Sequence, residues 1–211
     1  MRDISNDINE RLPFPGAYAL AEITDLSAET LEDLDHQEKQ ELEAITNLRR
    51  QQEYATSRHV LKVLARSIGI EGLEILKDDL GQPYGQAEGK KYFVSIAHTN
   101  QTVFCGISTE APIGIDLEPI SREVPEKLKR RILHPDEVAL FDNMDTIRLW
   151  TIKEAYIKLR GQGLRLNMNQ VQVKQEGEEL FTEINNDKRA KICSFHTENN
   201  WLAVAYFSNT N

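Results

Sequence analysis

SIAHTNQTVFCGIS, residues 95–108, recurs without a gap as CSFHTENNWLAVAY, residues 193–206. His98 aligns with His196 and Thr99 with Thr197, and in both copies an apolar run follows a polar turn. Two β-like runs joined by a short polar turn predict a hairpin. Each hairpin is preceded by a long helical pattern rich in Arg or Lys. The repeat therefore predicts an α+β fold of two similar lobes related by an internal pseudo-twofold duplication. Each lobe is expected to be a small antiparallel sheet packed with helices. The pattern changes at Ala111-Pro112, which sets the lobes at residues 1–110 and 111–211.

Working outward, Ala17 to Ile23 reads as a strand. Residues 22–43 are strongly acidic behind a helix start at Ser27, and the acids are expected to form a solvated helix face. Leu48 to Ser67, LRRQQEYATSRHVLKVLARS, has helical spacing and ends before Gly69. Its Arg50 and Arg58 are candidates for an anion site, because a guanidinium grips phosphate bidentately. Residues 121–133 are basic and helical in pattern, and His134-Pro135-Asp136-Glu137 starts another helix. Trp150 to Gly163, WTIKEAYIKLRGQG, is expected as a helix closed by Gly161 and Gly163. Leu149, Ile152, Tyr156 and Leu159 share one stripe, with Glu154 and Lys158 roughly opposite. Val171 to Lys174 and Glu179 to Glu183 read as edge strands.

The 211 residues carry a net charge of −9, which argues against nonspecific nucleic-acid binding through Lys and Arg. The N-terminal decapeptide lacks the apolar core of a signal peptide, and no apolar run is long enough to span a bilayer. A cytoplasmic location is the expectation. Cys105 and Cys193 sit in apolar, strand-like surroundings and are expected as buried free thiols.

Chemistry concentrates in Gly114-Ile115-Asp116-Leu117-Glu118. Strand alternation puts Asp116 and Glu118 on one face and Ile115 and Leu117 on the other. Neighbouring carboxylates repel unless a cation, a shared proton or an arginine relieves them. Hard oxygen donors suit Mg²⁺, which binds through a few carboxylates plus substrate phosphates. With Glu154, Lys158 and the arginines of the earlier helix, the set describes a metal-assisted phosphate site.

The same residues resemble a family. GIDLE followed by WTIKEAYIK is similar to the G-I-D-x-E … W-x-x-K-E-A-x-x-K signature of Sfp-type 4′-phosphopantetheinyl transferases. RRQQEYATSR (49–58), GQPY (81–84), SIAHT (95–99), HPDE (134–137) and GQG (161–163) resemble further segments of that family. Gln82 stands where the family usually has Lys or Arg, and Ala97 where serine is usual. The resemblance implies two α+β lobes with coenzyme A bound in the cleft between them. It implies transfer of phosphopantetheine to a serine of an acyl or peptidyl carrier protein, releasing adenosine 3′,5′-bisphosphate. It further implies Mg²⁺ on Asp116, Glu118 and Glu154, with Glu154 or Glu118 accepting the serine proton and Lys158 facing the phosphates. His98, Arg50 and Arg58 would hold coenzyme A phosphates, and the chain would act as a monomer. Lys127, Lys129, Arg130 and Arg131 are expected to meet an acidic carrier surface. Two other classes use overlapping features: a Mg²⁺-dependent nuclease or phosphohydrolase, and a non-catalytic accessory protein of the same fold.

Overall fold

The computed structural model describes residues 1–137, 144–161, 166–185 and 187–207. It comprises two compact units, Met1–Glu110 and Ala111–Asn211.

The first unit opens with β1 (Arg2–Asp3), α1 (Ser5–Asn9) and β2 (Gly16–Glu22). Three helices follow, α2 (Ala28–Glu32), α3 (His36–Ala44) and α4 (Leu48–Ser67), then β3 (Glu74–Lys77), β4 (Pro83–Ala87), β5 (Lys90–His98) and β6 (Thr102–Ser108). The strands form one antiparallel sheet in the order β1-β2-β6-β5-β4-β3. Helix α4 packs on β6 and β2. Its Val60, Leu61, Leu64 and Ala65 share a core with Val103, Cys105 and Ile107, so its apolar stripe is what fixes it there. Ser27 caps α2, as its position predicts, and Asp35 caps α3 through a reciprocal box with Glu38.

The acidic run is not wholly a solvated face. Glu38 is 2% exposed and receives the Lys62 ammonium, because a carboxylate turned inward requires a counter-charge.

The second unit contains β7 (Ile113–Pro119), α5 (Glu126–Ile132), a 3-10 turn at Pro135–Glu137, and α6 (Thr146–Arg160). After a further 3-10 turn at Met168–Gln170 come β8 (Gln172–Glu176), β9 (Glu179–Glu183), β10 (Ala190–His196) and β11 (Asn200–Phe207). Its antiparallel sheet runs β7-β11-β10-β9-β8. Only β8 of the two expected edge strands lies at an edge, since β9 pairs on both sides. Helix α6 begins at Thr146 rather than Trp150, because the Asp145 carboxylate caps it by accepting the Ile147 amide at 2.9 Å. Gly161 closes it in the left-handed conformation (φ 65°) that glycine adopts without strain. Gly163 and the stretch after Glu137 lie outside the described residues.

Strand order is thus the same in both units once β1 is set aside: β2-β6-β5-β4-β3 against β7-β11-β10-β9-β8. The two hairpins also share their turn, with the Thr99 amide donating to the Thr102 carbonyl at 2.8 Å and the Thr197 amide to the Asn200 carbonyl at 2.9 Å. Cys105 and Cys193 are buried thiols, not joined in a disulfide. Among the described residues no helix is long and apolar enough to cross a membrane.

Candidate active site

Strand β7 and helix α6 bring the acids together, and Gly114 decides how closely. A Cβ there would collide with the Ala155 carbonyl and the Leu159 backbone, so glycine lets α6 lie directly on the strand. Alternation puts Gly114, Asp116 and Glu118 on this face, while Ile115 and Leu117 point the other way and are buried. On the helix, Leu149, Ile152, Tyr156 and Leu159 are buried as their stripe predicts, and Glu154 and Lys158 remain partly open. Trp150 is only partly buried against the core of this unit.

Asp116 is 7% exposed. Lys158 Nζ donates to its Oδ1 at 2.8 Å, and Oδ2 is buried without a hydrogen-bond partner. Burial pushes the Asp116 carboxyl up to about 7; Lys158 pulls against that, and the Glu154 and Glu118 charges add to it. Burial likewise raises Glu154, with Lys158 opposing and Glu118 reinforcing. Glu118 pairs with Arg122, four residues on, whose guanidinium lies 4.8 Å from the centre of the Trp150 ring.

The three carboxylates expected to share a metal are coupled through their charge but not gathered. Among the described residues, no three His, Cys, Asp or Glu side chains stand close enough to hold an ion. Like charges separate, and each strand carboxylate turns to its own cation.

In the first unit, Arg50 is exposed. His98 is exposed too, with Nδ1 3.7 Å from Glu53 Oε2. Arg58 is not available in the same way. It is 5% exposed, its Nε lies 3.4 Å from Glu38 Oε1, and its guanidinium stacks 4.5 Å from the centre of the Tyr54 ring. A buried glutamate and an aromatic face hold this cation inside the unit. Ala97 is 2% exposed, so its methyl group fills core.

One pair beside the acids was given no role by the sequence. Lys153 and Glu137 are both fully buried, with Nζ 2.6 Å from Glu137 Oε2, 2.6 Å from the Ile132 carbonyl and 3.2 Å from the Met168 carbonyl. Glu137 also accepts the amides of His134 at 2.8 Å and Val173 at 2.6 Å. This lysine precedes Glu154 in the chain and locks the rotation of the helix that presents it. A signal was there: at 100° per residue Lys153 falls about 40° from Leu149, on the edge of the apolar stripe. A lysine there needs a buried carboxylate.

A buried carboxyl whose pKa burial raises thus sits beside a partly open lysine. The family model of the 4′-phosphopantetheinyl transferase superfamily matches residues 112–206. The 4′-phosphopantetheinyl transferase gsp of Aneurinibacillus migulanus is 31% identical over 119 residues, covering 52% of this chain and 48% of its own. The 4′-phosphopantetheinyl transferase Sfp of Bacillus subtilis is 30% identical over 130 residues, covering 55% and 58%. A solved structure of the holo-[acyl-carrier-protein] synthase of Thermotoga maritima is 25% identical, with a TM-score of 0.41, over 46% of this chain and 63% of that one. The chain spans about half the length of the curated relatives it matches.

Proposed function

We propose that the protein transfers the 4′-phosphopantetheine group of coenzyme A to a serine of an acyl or peptidyl carrier protein. The observation that carries this reading is Asp116: a buried carboxylate on β7, half held by Lys158, with its second oxygen unpartnered, in the unit that matches the family. The serine oxygen attacks the phosphorus of the phosphopantetheine, the bond to the rest of coenzyme A breaks, and adenosine 3′,5′-bisphosphate leaves.

The donor set fits a hard divalent cation, since an unsatisfied buried carboxylate oxygen is costly unless something positive meets it. Asp116, Glu118 and Glu154 would hold Mg²⁺ once Asp116 and Glu118 leave Lys158 and Arg122. When bound, the ion supplies charge neutralisation to the phosphates. Glu154, raised by burial, accepts the serine proton, and Glu118 is the second candidate. Lys158 stabilises negative charge on the phosphates. Arg50 and His98, both exposed, serve the coenzyme A phosphates from the first unit. Exposed Lys127 and Arg130 on α5 suit an acidic carrier.

Duplication belongs to the same reading. It is supported by the equal strand order, the matching hairpin turns and the echo of residues 95–108 in 193–206.

The deciding experiment is mass spectrometry of apo-carrier proteins incubated with the protein, Mg²⁺ and coenzyme A. A gain of one phosphopantetheine group is expected. No gain on any carrier, with coenzyme A still bound, favours the non-catalytic accessory alternative.

A further inference from the structure

Helix α6 starts with a cation that the acid site does not use. Arg148 is half-buried, and burial disfavours its charge while Asp145 partly supports it. Arg58, Arg66, Arg122 and Arg160 each hold a carboxylate within ion-pair distance. Arg148 holds none among the described residues. Its Nε donates to Ser194 Oγ at 3.2 Å, and its guanidinium lies 5.1 Å from the centre of the Trp201 ring. Trp201 is fixed in turn: its indole N–H donates to Asp145 Oδ2 at 3.0 Å, and the exposed His196 meets it edge to face at 5.1 Å.

Register places this group beside the acids. Trp201 stands opposite Glu118 across β7 and β11, and His196 stands opposite Trp201 across β10 and β11. Directly opposed residues of an antiparallel ladder share a face, so His196, Trp201, Glu118 and Asp116 lie on the sheet face that α6 covers. A half-buried guanidinium held by one hydroxyl and an aromatic face keeps donors for a planar or tetrahedral oxyanion.

We propose that Arg148, backed by Trp201 and flanked by His196, is a binding subsite for a phosphate group next to the Asp116–Glu118 pair. Arg50 stands at the same place in its helix, three residues after the capping Asn47, as Arg148 stands after Asp145. The subsite is a property of the second unit alone and does not depend on the transfer reaction.

The chain's two tryptophans separate the outcomes. Nitrogen-15 spectra are followed while inorganic phosphate replaces chloride at constant ionic strength, which holds screening fixed. The Trp201 indole signal is expected to shift saturably, while Trp150, beside Arg122, reports the acid site in the same spectra. Arg148→Gln should weaken the Trp201 response about tenfold or more, the loss expected for hydrogen bonds to a charged group. Arg148→Lys, which keeps the charge and loses the fork, should fall between the two. Should Arg148→Gln fail to fold, Ser194→Ala carries the test through weaker binding. A Trp201 signal that does not move, or moves equally in every variant, overturns the proposal. No carrier labelling by the parent protein, with phosphate binding intact, would instead count against the transferase reading.

Discussion

In the first unit Lys62 of α4 donates to Glu38 and, at 2.7 Å, to the Asp33 carbonyl. In the second, Lys153 of α6 donates to Glu137 and to the Ile132 carbonyl. Each glutamate also accepts the amide three residues before it, Asp35 in one case and His134 in the other. The brace is the same down to its capping bond. The surroundings differ. Matching the sheets by register puts Ala19 and Ala21 where the second unit has Asp116 and Glu118. Matching the helices on their buried lysines puts Val63 and Ser67 where it has Glu154 and Lys158. The framework is common to both units, whereas the acids and the open lysine are found in only one. Framework and chemistry therefore draw on different residues of one helix, and a substitution can address either alone.

The largest effect expected is on chemistry. Glu154→Gln should lower the single-turnover rate of carrier labelling by about 10²–10⁴-fold, the contribution of a positioned general base. Ser67→Ala, at the position that matches Lys158, should leave that rate unchanged. Equal losses from both would break the division between the units.

Next comes the brace. Lys153→Met strands a fully buried carboxylate and should cost about 3–5 kcal/mol in urea unfolding. Lys62→Met should cost less, because side-chain exposure there is 10% for Lys62 and 3% for Glu38. Pairing Lys153→Met with Glu137→Gln should restore part of the loss, because the neutral amide oxygen removes the stranded charge and still accepts a backbone amide. If the double variant is no more stable than the single one, the brace is not what the substitution removed.

Much of the fold is legible in the sequence. The hairpins, the α4 limits and the α6 stripe follow from hydrophobic period and from glycine, which act locally. Strand and helix spacing is enough to put Asp116 with Glu118 and Glu154 with Lys158 on shared faces. What escaped is non-local. Nothing near Arg58 announces that Glu38 will be folded inward to meet it. Nothing near Lys153 says which glutamate it will find. The start of α6 escapes the apolar pattern because Asp145 caps the helix from outside it. The three-acid ligand set was expected as a cluster, yet Lys158 and Arg122 hold two of its members.

Gly114 gives a smaller and sharper test. Its counterpart by register in the first unit is Ala17. Helix α4 therefore tolerates a methyl group at the place where α6 does not. Gly114→Ala should destabilise the protein by about 1–3 kcal/mol through overpacking against helix backbone. Ala17→Gly should cost about 0.5–1 kcal/mol, the conformational freedom glycine adds in a strand. Similar costs at both sites would mean that α6 lies no closer to its sheet than α4.

The smallest effect separates the units by pH. Asp33 stands where the second unit has the buried Ile132, and its side chain accepts from Arg66 at 2.9 Å and 3.2 Å. Its pKa is held below the usual 3.8, first by the hydrogen bond from Arg66, against burial, and with help from His59. A carboxylate with a depressed folded pKa contributes stability that is complete above its unfolded value. That contribution is lost as pH falls through the folded value. Asp33→Asn should therefore lower stability at pH 6 by no more than about 1 kcal/mol, since Arg66 is substantially exposed and solvent screens the pair. The difference from the parent should shrink to nothing as the pH falls below 3.8. Urea midpoints measured from pH 6 downward would show the two curves converging. A gap that persists in acid would mean that Asp33 acts through packing around the Lys62 brace rather than through its charge.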